Sequence, residues 1–79
     1  MANAPFDLEK ADEMFGYISK KLDENNGCDG TLRFTTEWLE HHFRKNAEKV
    51  NDALDFIMNH GGFCDCEVLM NASKGEYWM

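Results

Sequence analysis

Between Leu8 and Leu22 the apolar side chains return at steps of three and four: Leu8, Ala11, Phe15, Ile18 and Leu22, with Met14 widening the row. A period near 3.6 puts them on one helical face, which has to be laid against another element. Asp7, shortly after Pro5, is placed to cap the start of this helix. Asn25-Asn26-Gly27 ends it with residues that tolerate positive φ. A second row, Ala47, Val50, Leu54 and Ile57, runs into Asn59-His60-Gly61-Gly62, a strong helix stop. The 79 residues allow one domain, spanning 1–79.

The remaining segments are shorter. Cys28-Asp29-Gly30 reads as a turn, and the alternation in Thr31-Leu32-Arg33-Phe34 suits a short strand. Thr35 or Thr36 then caps a helix that buries Trp38, Leu39, His42 and Phe43, and Asn46 separates it from the next. From Phe63 to Asn71 the alternation predicts a second strand. Cys64, Cys66, Val68 and Met70 would face the helices, with Phe63, Asp65, Glu67 and Leu69 on the other side. The expected fold class is therefore α+β: three helices packed on a two-stranded antiparallel sheet, in the order α-β-α-α-β. Residues 72–79 form a flexible or docking tail. Its Tyr77-Trp78-Met79 end either tucks back or anchors a partner, and a homodimer contact is one alternative.

Charge narrows the partners. Fifteen acids oppose eight Lys and Arg, a net charge of −7, and neither residues 1–30 nor residues 31–79 carry a basic patch. Direct nucleic-acid binding, which depends on such a patch, is not expected. A basic surface on another protein or nucleoprotein is the expected partner. There is no apolar run of about 18 residues and no basic-then-apolar start, so no membrane role and a cytoplasmic location are expected.

Cys28-Asp29-Gly30-Thr31-Leu32-Arg33-Phe34-Thr35, Trp38-Leu39 and Gly61-Gly62-Phe63-Cys64-Asp65-Cys66-Glu67-Val68-Leu69 together resemble a small bacterial domain family of unknown function. Its pattern is a CD-x-TLRFT-x-x-WL block followed by GG-[FY]-CDCEVL, and the likeness covers roughly 28–71. The resemblance implies a shared fold and no established activity. It also implies that His often stands where this chain has Gly30, giving Cys-x-His and later Cys-x-Cys, the look of a four-ligand metal site. Gly30 removes that fourth ligand from its expected place.

Three constellations bear on chemistry. Cys28, Cys64 and Cys66, with His60 as a fourth ligand, have the donor types for zinc; the same thiols could instead pair, or serve as small core residues. No other cofactor is expected. Glu37, His41 and His42 lack the HExxH arrangement, and a surface His beside a half-buried one accounts for them. A Cys64 or Cys66 nucleophile with His60 as base lacks an orienting group. A chain this short also has little room for a pocket of several hundred cubic ångströms, so no enzyme is expected. The acids form rows: Glu9, Asp12 and Glu13 on the first helix, and Glu48, Asp52 and Asp55 on the third. Such rows serve solubility. At about 5–6 Å per turn they also approach the spacing of phosphates along a strand.

The leading expectation is a non-enzymatic acidic protein-binding module. In its sharpest form it is a phage or mobile-element inhibitor that blocks a basic nucleic-acid groove, resembling anti-CRISPR proteins in size and charge alone. The binding residues would be the two acidic rows with Tyr77 and Trp78. The alternative is a small metal-stabilised or thiol-sensing domain built on Cys28, Cys64 and Cys66.

Overall fold

A computed structural model describes residues 4–78. Four helices follow in order: α1 (Leu8–Glu24), α2 (Arg33–His42), α3 (Ala47–Asn59) and α4 (Asp65–Asn71), and a 3-10 turn closes the chain at Gly75–Trp78. Helix α2 packs against α1, α3 and α4, and α1 also lies on α4.

The cap and stop of α1 and the stop of α3 act as expected, and Asn46, expected only to separate two helices, also caps α3. Asp7 Oδ1 accepts from the Lys10 N–H at 2.9 Å, and Asn46 Oδ1 does the same for Lys49 at 3.0 Å. Past α1, Asn26 takes φ 58°, and the Gly27 N–H reaches back to the Leu22 carbonyl at 2.8 Å. Past α3, Gly61 takes φ 88°, and the Gly62 N–H donates to the Ile57 carbonyl at 3.0 Å. The second glycine is there for room: a Cβ on Gly62 would stand 2.6 Å from Ile57 Cγ2 and 3.1 Å from Val68 Cγ2. Helix α4 therefore crosses close over the end of α3.

The expected α+β class is wrong. Among the described residues there is no strand. Residues 31–34 are the end of a loop and the first residues of α2, and 63–71 are a short loop followed by α4. In the second segment the buried positions are Asp65, Val68 and Ala72, a three-then-four spacing that belongs to a helix. The alternating pattern would have buried Met70, which is 68% exposed, and would have turned Asp65 away from the helices. Thr35 does not precede α2 as its cap but lies buried inside its first turn.

The core gathers Met14 and Ile18 of α1, Leu39 of α2, Ile57 of α3, Val68 of α4 and Trp78, all almost fully buried. Ala53 and Phe56 are buried on α3 where Leu54 is half-exposed, so that stripe is rotated from the expected one. His42 is exposed, its ring stacked on Trp38 at 4.0 Å. The tail tucks back. Trp78 packs on Phe6, Phe15 and Phe56 at 4.8–5.7 Å, and its Nε1 donates to the Ala72 carbonyl at 2.8 Å. Met79 lies outside the described residues.

Candidate thiol site

One carboxylate ties the 28–32 loop, the start of α2 and the start of α4 together. Asp65 Oδ2 accepts from the Phe34 N–H at 3.0 Å. Its Oδ1 accepts from the Thr35 N–H at 3.0 Å and the Thr35 hydroxyl at 2.7 Å. Its own N–H donates to the Thr31 carbonyl at 2.9 Å. Leu32, at the N-cap of α2, has no side-chain acceptor, so Asp65 caps that helix from 30 residues further along the chain. A buried carboxylate without partners is expensive; here three donors face it, and the ionised acceptor strengthens each bond. No buried side-chain polar atom among the described residues lacks a partner.

Asp65 sits between Cys64 and Cys66, so the same clamp delivers both thiols to Cys28. The Cys28 sulfur accepts from the Gly30 N–H at 3.3 Å. The Asp65 N–H bond to the Thr31 carbonyl sets Cys64 and Cys66 beside this turn, where their thiols and the Cys66 N–H act on the ionisation of Cys28. Asp29 shapes the turn by accepting from the Thr31 N–H at 3.0 Å and from the Thr31 hydroxyl, which holds its carboxyl below the usual range.

These contacts divide the three thiols. Burial pushes Cys28 up, but the N–H groups of Cys66 and Gly30 and the two neighbouring thiols outweigh it and hold Cys28 below the 9.0 of free cysteine. At Cys64 the Glu67 N–H pulls down; burial and Cys28 prevail, and the thiol lies above 9.0. At Cys66 burial and then Cys28 push in that same direction. Of the three, Cys28 is the thiol whose surroundings favour the thiolate. All three side chains are free thiols and half-buried, hence reachable from solvent.

The structure brings these three cysteines together and leaves His60 elsewhere. His60 ends α3 with its Nδ1 donating to the Phe56 carbonyl at 2.8 Å, and its ring packs on Phe56 and Tyr77 at 4.4 and 4.2 Å. No group of three or more His, Cys, Asp and Glu among the described residues is placed to hold a metal ion. Glu37, His41 and His42 line an open cleft of about 680 Å³ between α1 and α2, with Glu13, Tyr17, Trp38 and Glu40. A second cleft of about 630 Å³ lies along Gly16, Ser19 and Leu69, so grooves of this size do exist on so short a chain.

Glu9, Asp12 and Glu13 of α1 and Glu48, Asp52 and Asp55 of α3 are all exposed. The two rows stand on helices that flank α2. Trp78 is 1% exposed and holds the core, so it is unavailable as a binding anchor; Tyr77 is half-buried. Sequence reasoning missed Asp65, Thr35 and Thr31. The signal was there for the first: Asp65, Val68 and Ala72 share one helical face, and an acid on an apolar face needs donors.

No helix among the described residues is long and apolar enough to cross a membrane. No solved structure matches the chain. Similar proteins include the uncharacterized protein Mb2294 of Mycobacterium bovis and the uncharacterized protein Rv2271 of Mycobacterium tuberculosis. Each is 32% identical over 65 residues, which is 82% of this chain and 61% of the relative. The chain thus spans under two thirds of the curated relatives it matches. Residues 14–71, containing α2, α3, α4 and all three cysteines, match the model of a family described as protein of unknown function, DUF2695, and the chain belongs to that family.

Proposed function

We propose that this domain is a thiol switch, in which Cys28 is the reacting group and Cys64 the group that closes a disulfide with it. The observation that carries this is the Asp65 clamp, which sets Cys64 and Cys66 beside a Cys28 sulfur that already accepts from the Gly30 N–H. Thiolate, rather than thiol, is the nucleophile, and partial exposure gives it access to an oxidant. With a hydroperoxide, the Cys28 sulfur attacks one oxygen and the O–O bond breaks. The departing alkoxide or hydroxide takes a proton from water, leaving a sulfenic acid on Cys28. The Cys64 sulfur then attacks the Cys28 sulfur as its own proton is lost, and hydroxide leaves to become water. Two thiols have given up two electrons to the peroxide, and a low-molecular-weight thiol restores them by exchange.

Cys64 suits the closing step better than Cys66. It lies before α4 with extended backbone (φ −150°, ψ 169°), whereas Cys66 is inside the first turn of that helix. The reading is a switch: the oxidised and reduced pair are its two states, and the peroxide is the signal that sets it. The test is alkylation of the native chain by iodoacetamide across pH, read for each cysteine by mass spectrometry. The Cys28 rate should reach half its plateau below pH 9, with Cys64 and Cys66 following above it. Cys28 titrating at or above the other two would remove the proposal.

A second reading rests on a separate observation. The six carboxylates of the α1 and α3 rows are exposed, and neither described ion pair, Lys21–Glu24 or Arg33–Glu37, uses any of them. Charge left unmatched within the molecule supports docking on a basic surface of another protein, in the sharpest case an inhibitor covering a nucleic-acid groove. Reversing Glu48, Asp52 and Asp55 to Lys should then abolish capture of a basic partner while helical circular dichroism is kept. Unchanged capture would exclude the charge mechanism.

A further inference from the structure

A basic partner docking on the acidic rows finds no aromatic anchor in Trp78, which belongs to the core. The open cleft of about 680 Å³ between α1 and α2 offers room for one of the partner's own side chains instead. Three carboxylates line it, Glu13 from α1 and Glu37 and Glu40 from α2, and among the described residues no Lys or Arg does. Arg33 is 3.6 Å from Glu37, and both side chains of that pair are about half exposed. Glu13 and Glu40 take part in neither described ion pair, although Lys10 and Arg44 stand three and four residues from them along the chain. Their charges are left unmatched within the molecule.

The rest of the lining is aromatic. His42 lies on Trp38 with ring centroids 4.0 Å apart and 24° between the planes. Its Nδ1 donates to the Trp38 carbonyl at 3.0 Å, which fixes the stack, and His41 meets it edge-on at 5.3 Å. Tyr17 lines the cleft from α1, and a cation already stands over its ring: Lys21 Nζ is 5.6 Å from the centroid and 3.8 Å from Glu24. Rings and carboxylates around one opening suit a planar cation, which stacks and hydrogen-bonds at once. A compact, strongly hydrated ammonium gains the charge interaction alone.

We infer that the α1–α2 cleft receives an arginine side chain of a basic partner protein, its guanidinium bonded to Glu13 and Glu40 and stacked on the rings of Tyr17 and His42. The inference rests on the docking reading and adds where that partner is anchored and by which residue. An arginine held in a pocket is the kind of contact that dominates binding energy at an interface. The exposed acidic rows, screened by salt, steer the approach.

The probe is the capped tripeptide Gly-Arg-Gly, titrated into the full chain at pH 8 and followed by NMR. Capped Gly-Lys-Gly and the same peptide with citrulline in place of arginine are the controls for shape and charge. The Tyr17 and His42 rings and the Trp38 indole should shift saturably, while the Trp78 indole, bonded to the Ala72 carbonyl, stays in place. The arginine peptide should bind about fivefold tighter than the lysine peptide, and the citrulline peptide should give no saturable shift. Glu13→Gln and Glu40→Gln, both at exposed positions, should each weaken the arginine peptide about fivefold. Glu48→Gln and Asp52→Asn on α3 should change it by under about twofold. No shift with the arginine peptide, equal binding of either control, or equal losses from the α3 variants would each overturn the cleft as the anchor. Docking itself falls separately, when reversal of Glu48, Asp52 and Asp55 to Lys leaves capture of a basic partner unchanged.

Discussion

Helices α1 and α2 begin in opposite ways. The first is capped by Asp7, one residue ahead of it and exposed; the second by Asp65, buried and 30 residues downstream. The Asp7 contact would form in an isolated peptide and ties nothing else together. The Asp65 contact forms only once α4 has docked, so the start of α2, the 28–32 loop and the cysteines are established in one step. A cap borrowed from a distant segment makes a helix end into a long-range joint, and here Cys64 and Cys66 flank the residue that makes it.

The comparison breaks most visibly at Asp65. Asp65→Ala leaves two backbone N–H groups and the Thr35 hydroxyl buried without an acceptor and should cost about 3 kcal/mol. Against a total of roughly 4–12 kcal/mol for a chain of this size, that is a large share, read as a lowered urea midpoint. Next comes the crossing that brings Asp65 into place. Gly62→Ala forces a Cβ against Ile57 and Val68 and should cost about 2 kcal/mol in the same titration. The local caps are smaller still: Asp7→Ala and Asn46→Ala should each cost about 1 kcal/mol. Asp7→Ala should also leave the Cys28 alkylation profile untouched, whereas Asp65→Ala moves it toward free cysteine. Equal effects of Asp7→Ala and Asp65→Ala on stability would erase the distinction between the two ends.

The same contrast explains how much was legible in the sequence. Helices α1 and α3 carry their own stripes, caps and stops within about 20 residues, and the structure has them where those signals lie. Helix α2 starts earlier than its Thr residues suggested because its cap was not local. Helix α4 spans only seven residues, too few for a period to declare itself, and the alternation of Cys64, Cys66 and Val68 imitated a strand. The three cysteines were grouped from the sequence with His60 beside them; what was not legible was the clamp that places them. Cys66 is brought beside the Cys28 turn by Asp65, which read as the side of that strand away from the helices. Trp78 stood out as an aromatic near the chain end, yet only the pocket among Phe6, Phe15 and Phe56 shows that it belongs to the core.

The most direct measurement is disulfide mapping of the native chain after one equivalent of hydrogen peroxide, with cleavage before Asp65 to separate Cys64 from Cys66. The account predicts a monomer carrying a Cys28–Cys64 disulfide, with Cys66 still free. Disulfides only between chains, or none involving Cys28, would contradict it.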